Sequence, residues 1–164
     1  MKLLTAFFFI LLTSCSSNDI DEGVYSKSTN VSYKISDLTS KFWSEVQNEG
    51  SDLALLHKDT KSFFLFNSAC RKYESSNLNT LTASIFTGIN DLDYMEKNRT
   101  IYQDREAILA SAKGTIDGVT RYFRVMTTQK NSCIYDFALI STSKKNLDSD
   151  TDDFNKFINL IKLN

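Results

Sequence analysis

Two stretches constrain the fold more than any other: residues 63–66 (FFLF) and residues 132–142 (SCIYDFALIST). Both are apolar on each of their alternating faces. A strand with one wet face alternates apolar and polar side chains, so a run that is apolar on both sides needs cover above and below. These runs predict central strands of a sheet enclosed by other elements. The single interruption is Asp136. A carboxylate there is either buried with a raised pKa, or sits at a sheet edge or pairs with Arg121 or Arg124 on a neighbouring strand. The second alternative is the expectation. Each run is also tied to a cysteine: Cys70 shares its face with Phe64 and Phe66, and Cys133 shares its face with Tyr135, Phe137 and Leu139. Both thiols therefore point toward aromatic core, as a bridged pair between neighbouring strands would.

The other elements follow from local signals. Val31, Tyr33 and Ile35 alternate with polar residues and predict a half-buried strand. Residues 37–40 then punctuate, and Phe42, Trp43 and Val46 follow; Trp43, the sole Trp, is expected to pack in the core. Residues 52–58 and 61–70 read as a β-hairpin about Asp59–Thr60. Ser76 or Asn77 caps a helix whose Leu78, Leu81, Ile85 and Ile89 recur at helical spacing, ending near Gly88–Asn90. Residues 92–104 are ambiguous, with an exposed strand possible over 100–103. Ile108, Ala110 and Ala112 alternate, Asp117–Gly118 is the strongest turn signal in the chain, residues 121–126 alternate again, and Lys130–Asn131 makes the next turn. In residues 147–153 (LDSDTDD) the alternating Asp148, Asp150 and Asp152 match the start of a calcium loop, but Asp153 stands where Gly is needed and Asn159 where Glu is needed. The acids are better read as a helix start capped by Asp150 or Thr151, with Phe154, Phe157, Ile158 and Ile161 on one face.

The chain opens with Met1-Lys2, a largely apolar run over residues 3–12, and Leu12-Thr13-Ser14-Cys15. A charged start, a short apolar core and small residues at a cut are the outline of a secretory signal, and the core is too short for a membrane span of about 20 residues. Leu-Thr-Ser-Cys resembles the lipobox of bacterial lipoproteins. The resemblance implies that Cys15 receives a diacylglycerol thioether, becomes the N-terminus and is acylated again on its amine by a palmitate-class chain. Several acyl chains anchor stably where one does not. Ser16, rather than Asp, follows the cysteine, and the resemblance then implies the outer membrane facing the periplasm. The expected organisation is a signal peptide over 1–14, a lipidated cysteine and flexible tether over 15–30 (reach roughly 20 Å), and a single α+β domain over 31–164. With Cys15 lipidated, Cys70 and Cys133 remain as an even pair in an oxidising compartment. They are expected to be bridged; two separate buried thiols are the alternative.

Removal of residues 1–14 takes away only Lys2 among the charged residues, leaving 18 basic against the 20 acidic residues. A near-neutral balance argues against nucleic acid as a partner. His57 is the sole histidine, so a Ser-His-Asp arrangement would have to be assembled around it; no nucleophile elbow is present, and a solvent-facing role beside its turn is the expectation. The chain lacks the His and Cys ligands of a zinc site and any phosphate-cradling loop. No cofactor and no metal are expected.

The order of elements is strands, helix, a three-stranded meander and a terminal helix. It predicts an antiparallel sheet covered by helices, an α/β/α sandwich. Early Phe42-Trp43, the paired strands through residue 70, the helix over 78–89, the hairpin ILASAKGTIDGVTRYFRV, the strand CIYDFALIS and the terminal DDFNKFINLI together resemble the Mog1/PsbP-like fold. That resemblance implies a non-enzymatic binding or assembly factor. The expected role is a lipid-anchored periplasmic accessory module for an envelope protein complex; a carrier of a small apolar ligand held between sheet and helix is the alternative.

Overall fold

Three two-residue turns explain most of the architecture. Gln103 and Asp104, Asp117 and Gly118, and Asn131 and Ser132 all have positive φ at both positions, the type I′ geometry whose twist matches a hairpin. They join β5 (Asn90–Tyr102), β6 (Arg105–Ile116), β7 (Val119–Lys130) and β8 (Cys133–Ser141) into a meander. The computed structural model describes residues 28–70 and 76–164. Ahead of the meander lie β1 (Val31–Ser32), α1 (Ile35–Leu38), β2 (Trp43–Glu45), β3 (Leu53–His57), β4 (Phe63–Cys70) and α2 (Leu78–Ser84); α3 (Lys144–Leu160) and β9 (Lys162–Leu163) close the chain. The seven-stranded sheet runs β2-β3-β4-β8-β7-β6-β5, antiparallel throughout, and β1 pairs with β9 as a separate ribbon.

Each face of the sheet is covered by a helix, and Leu38 of α1 joins the core under α3. On the first, α3 lays Leu147, Phe154, Phe157 and Ile158 over Phe64, Phe66, Tyr135, Phe137 and Leu139. Phe64 meets Phe157 and Phe154 edge-on at 5.1 and 6.0 Å, the offset arrangement that ring quadrupoles favour. On the second, Phe86, just beyond α2, stands edge-on to Phe123 at 5.8 Å over Ala110, Ala112 and Val125. Gly114 belongs to this contact, because a Cβ there would collide with Ile89 Cγ2. The α/β/α sandwich is thus the architecture observed.

Several local expectations are corrected. The strand read over residues 31–35 is two residues long, and Ile35 instead opens a short helix. Of residues 92–104, ambiguous by pattern, 92–102 form most of the longest strand and 103–104 its turn. The third turn lies one residue later than Lys130–Asn131. The terminal helix begins at Lys144, capped by Ser143, whose hydroxyl accepts from Asn146 N at 3.1 Å; the acidic run is therefore inside the helix, neither a calcium loop nor a helix start. Phe63 is 39% exposed, because α2 covers β6 and β7 and not the far strands.

Asp136 is corrected as well. Its strand is central, flanked by β4 and β7, and it lies opposite Asn67 and Thr127. Arg124 is opposite Leu139, three positions away and therefore on the other face. There it contacts Ser111 and Glu96.

Candidate functional site

The groups that could carry chemistry fall at four places. The first is the end of the β4–β8 pair. Cys70 and Cys133 are directly opposite in the register and joined by a disulfide. Two residues further in, Ser68 N and Oγ both donate to Asp52 Oδ2 at 2.7 and 2.6 Å. Ser28 N donates to Ser68 Oγ at 2.8 Å, and Ser28 Oγ meets Tyr135 Oη at 2.9 Å. The chain therefore joins the sandwich beside the disulfide. Cys15 lies outside the described residues.

The second place is His57, which is buried rather than solvent-facing. Its Nδ1 accepts from Asp59 N and Thr60 N at 3.2 and 3.1 Å, capping its own turn. Phe42 stacks on its ring at 5.7 Å and Trp43 meets it edge-on at 4.9 Å. A nitrogen that accepts two backbone N–H groups is not free to act as a base. Among the described residues no serine or carboxylate side chain bonds to His57. Its role is to hold the β3–β4 turn against the first strand of the sheet.

Asp136 is the third. Burial pushes its pKa up to about 6, and the hydroxyl of Thr127 opposite offsets only part of that rise. Neither Asp136 Oδ1 nor Thr127 Oγ1 closes a hydrogen bond of normal geometry, and both are sealed from solvent. The carboxyl sits on the face that α2 only partly covers, between Ala138 and Ile134 along its strand.

Two surface hollows make the fourth. One of about 310 Å3 lies along Glu45, Gln47, Asn48, Glu49 and Asp52. The other, about 490 Å3, lies among Asn77, Asn79, Arg99, Asp104, Arg105 and Glu106. The second is lined almost wholly by polar side chains, and the first mixes such side chains with Val46, Leu53 and Ala54; neither is the apolar enclosure typical of small-molecule sites.

The acids of α3 have structural partners that pattern alone did not reveal. Trp43 Nε1 donates to Asp153 Oδ2 at 2.7 Å, and Thr60 Oγ1 donates to Asp150 Oδ2 at 2.7 Å. Asp148 pairs with Lys144 one turn earlier. A buried Asp within a stripe of Leu147, Phe154 and Phe157 was the available signal for a long-range partner. No described helix is long and apolar enough to cross a membrane.

No family model and no curated protein matches the chain. Solved structures share its fold. It is similar to the cyanobacterial PsbP protein CyanoP of Synechocystis sp. PCC 6803, with a TM-score of 0.58 and 10% identity over 93% of this chain and 99% of that one. It is similar to LpqN, involved in cell envelope biogenesis of Mycobacterium tuberculosis, with a TM-score of 0.59 and 7% identity over 88% of this chain and 86% of that one. A Pseudomonas aeruginosa protein of unknown function aligns with a TM-score of 0.52 and 6% identity over 71% of this chain and 94% of that one. The fold is PsbP-like: a large antiparallel sheet with helices on its faces.

Proposed function

We propose that the protein is a lipid-anchored accessory module of the bacterial envelope, held through Cys15 and binding a protein partner without catalysing a reaction. The observation that carries the reading is the junction. Ser28, thirteen residues beyond Cys15 in sequence, is fixed by Ser68 and Tyr135 beside the disulfide. A body held at that end by an acylated cysteine leaves the rest of its surface open to partners. The disulfide fits an oxidising compartment. The role of His57 in packing, and its lack of a nucleophile partner among the described residues, supports a non-catalytic reading. CyanoP is a PsbP protein and LpqN is involved in envelope biogenesis, and an accessory role in the envelope is in keeping with both. Neither of the two open hollows is the apolar enclosure that the apolar-ligand alternative needs.

The test is fractionation with mass spectrometry. The protein is expected in the outer-membrane fraction, lacking residues 1–14 and carrying lipid mass on Cys15. Cys15→Ser is expected to release it from the membrane, and crosslinking of the acylated protein is expected to capture a protein partner. Full-length polypeptide in the cytosol with no added lipid would overturn the reading.

A further inference from the structure

The sheet ends at two very different edges. One is β2, three residues long. The other is β5, thirteen residues long, which among the described residues pairs with β6 alone. A long open edge presents unpaired backbone N–H and C=O groups, and proteins ordinarily blunt it with bulges, proline or brevity. The bulges of β5 are confined to its first half, between Asn90 and Asp93 and between Tyr94 and Glu96. From Glu96 to Tyr102 the register with β6 is unbroken, and no proline interrupts it.

The turn settles which backbone groups are free. Gln103–Asp104 is a two-residue hairpin turn, so Tyr102 and Arg105 form its closing hydrogen-bonded pair. Antiparallel pairs alternate between bonded and non-bonded. The N–H and C=O groups of Ile101, Arg99 and Lys97 consequently face away from β6, and those of Thr100 and Asn98 face toward it. Side chains of alternate residues share a face, so Lys97, Arg99 and Ile101 form one row along the free edge. Ile101 is 70% exposed, more than any other large apolar side chain described. The Arg99 side chain is 69% exposed even while paired with Glu106. The one contact described for the Lys97 ammonium is the Tyr94 ring, 5.4 Å away. Glu96, the neighbour of Lys97 in sequence, lies on the other face of the strand and is engaged by Arg124 and Asn98.

We propose that residues 97–101 of β5 take an extended, acidic segment of a partner protein as an eighth strand of the sheet. The three outward residues supply main-chain bonds, Lys97 and Arg99 supply charge complementarity, and Ile101 gives an apolar side chain a seat. A second copy of this chain fits poorly. Two-fold antiparallel pairing through all three outward residues sets Arg99 on Arg99, and a shift toward the bulged end sets Lys97 on Arg99, where like charges directly opposite destabilise a sheet; a shift the other way sets Lys97 against the turn at Gln103 and leaves only Arg99 and Ile101 of each copy paired. The proposal shares with the preceding section only the idea of a protein partner and is independent of the lipid anchor.

Amide hydrogen exchange on the full chain in detergent tests it, with a short synthetic peptide of alternating glutamate and valine, blocked at both ends, as the probe. Saturating peptide is expected to slow exchange at Lys97, Arg99 and Ile101 by roughly tenfold while Asn98 and Thr100, already bonded to β6, hold steady. A lysine–valine peptide is expected to leave all five unchanged. Lys97→Glu with Arg99→Glu, both at exposed positions, is expected to reverse the preference. Equal response to the two peptides, protection only elsewhere, or protein concentration alone slowing the three amides would overturn the proposal. Loss of membrane localisation would bear on Cys15 and leave this result untouched.

Discussion

Trp43 and Asp153 stand 110 residues apart in sequence, and the indole Nε1 donates to the carboxylate at 2.7 Å. The bond ties an edge strand of the sheet to the terminal helix. The indole also lies edge-on to Phe157 at 5.1 Å and to His57 at 4.9 Å. Asp153→Ala removes the acceptor of a buried donor and is expected to cost about 1–3 kcal/mol. Trp43→Ala is expected to cost about 3–5 kcal/mol. Urea unfolding checks both. A Trp43→Phe, Asp153→Ala cycle should be non-additive; strict additivity would show that the bond contributes nothing.

Asp136 makes the protein less stable when ionised. Its pKa is raised from 3.8 to about 6, so between those values the folded state holds more protons than the unfolded chain. Stability therefore falls as pH rises through that window and stays lower above it. A rise of that size corresponds to an upper bound of about 3 kcal/mol. Asp136→Asn is expected to raise the melting temperature above pH 7 and to make little difference below pH 4. A variant less stable than wild type at neutral pH would contradict this assignment.

The Cys70–Cys133 bridge closes a loop of 64 residues between the two central strands. On the chain-entropy model its loss costs about 4 kcal/mol. Urea midpoints with and without reductant should differ by that order at unchanged slope. Both thiols alkylating freely in the absence of reductant would refute the bridge.

Tyr102 is buried, and its hydroxyl reaches the carbonyls of Ile158 and Ile161 at 2.7 and 2.6 Å. Those are carbonyls at the end of α3, where no intrahelical donor remains. Tyr102→Phe is expected to cost about 1–2 kcal/mol and to speed amide exchange at Lys162 and Leu163. Exchange there that matches wild type would show that Gln103, which also bonds Ile161 O and Leu163 N, holds the end alone.

What was legible in the sequence was what depends on near neighbours. Alternation gave β6 and β7, and continuous apolar runs gave β3, β4 and β8. Asn77 was readable as a cap, and its side chain does accept from Thr80 N at 3.0 Å. Asp117–Gly118 marked its turn because both residues tolerate positive φ. The facing of Cys70 and Cys133 followed from parity, since a strand turns alternate side chains the same way.

Other features were hidden because their causes lie far along the chain. The start of α3 was disguised by Asp150, a carboxylate in an apolar stripe that is tolerable because Thr60, ninety residues earlier, and the adjacent Ser149 both donate to it. Most of β5 is exposed and five of its thirteen residues are charged, so no burial pattern announced it; a single neighbouring strand defines it. Asp136 was read at an edge or against Arg121 or Arg124 because nothing local shows that Asn67 and Thr127 stand opposite it.

The sequence by itself determined the strand faces, the tight turns and the two cysteines' shared apolar surroundings, because these obey backbone geometry and side-chain periodicity within a few residues. Strand order, the burial of Asp136 and His57, and the openness of the β5 edge were decided only in three dimensions. Each depends on which distant segment comes to lie alongside, and hydrogen bonding and desolvation act on proximity in space rather than along the chain.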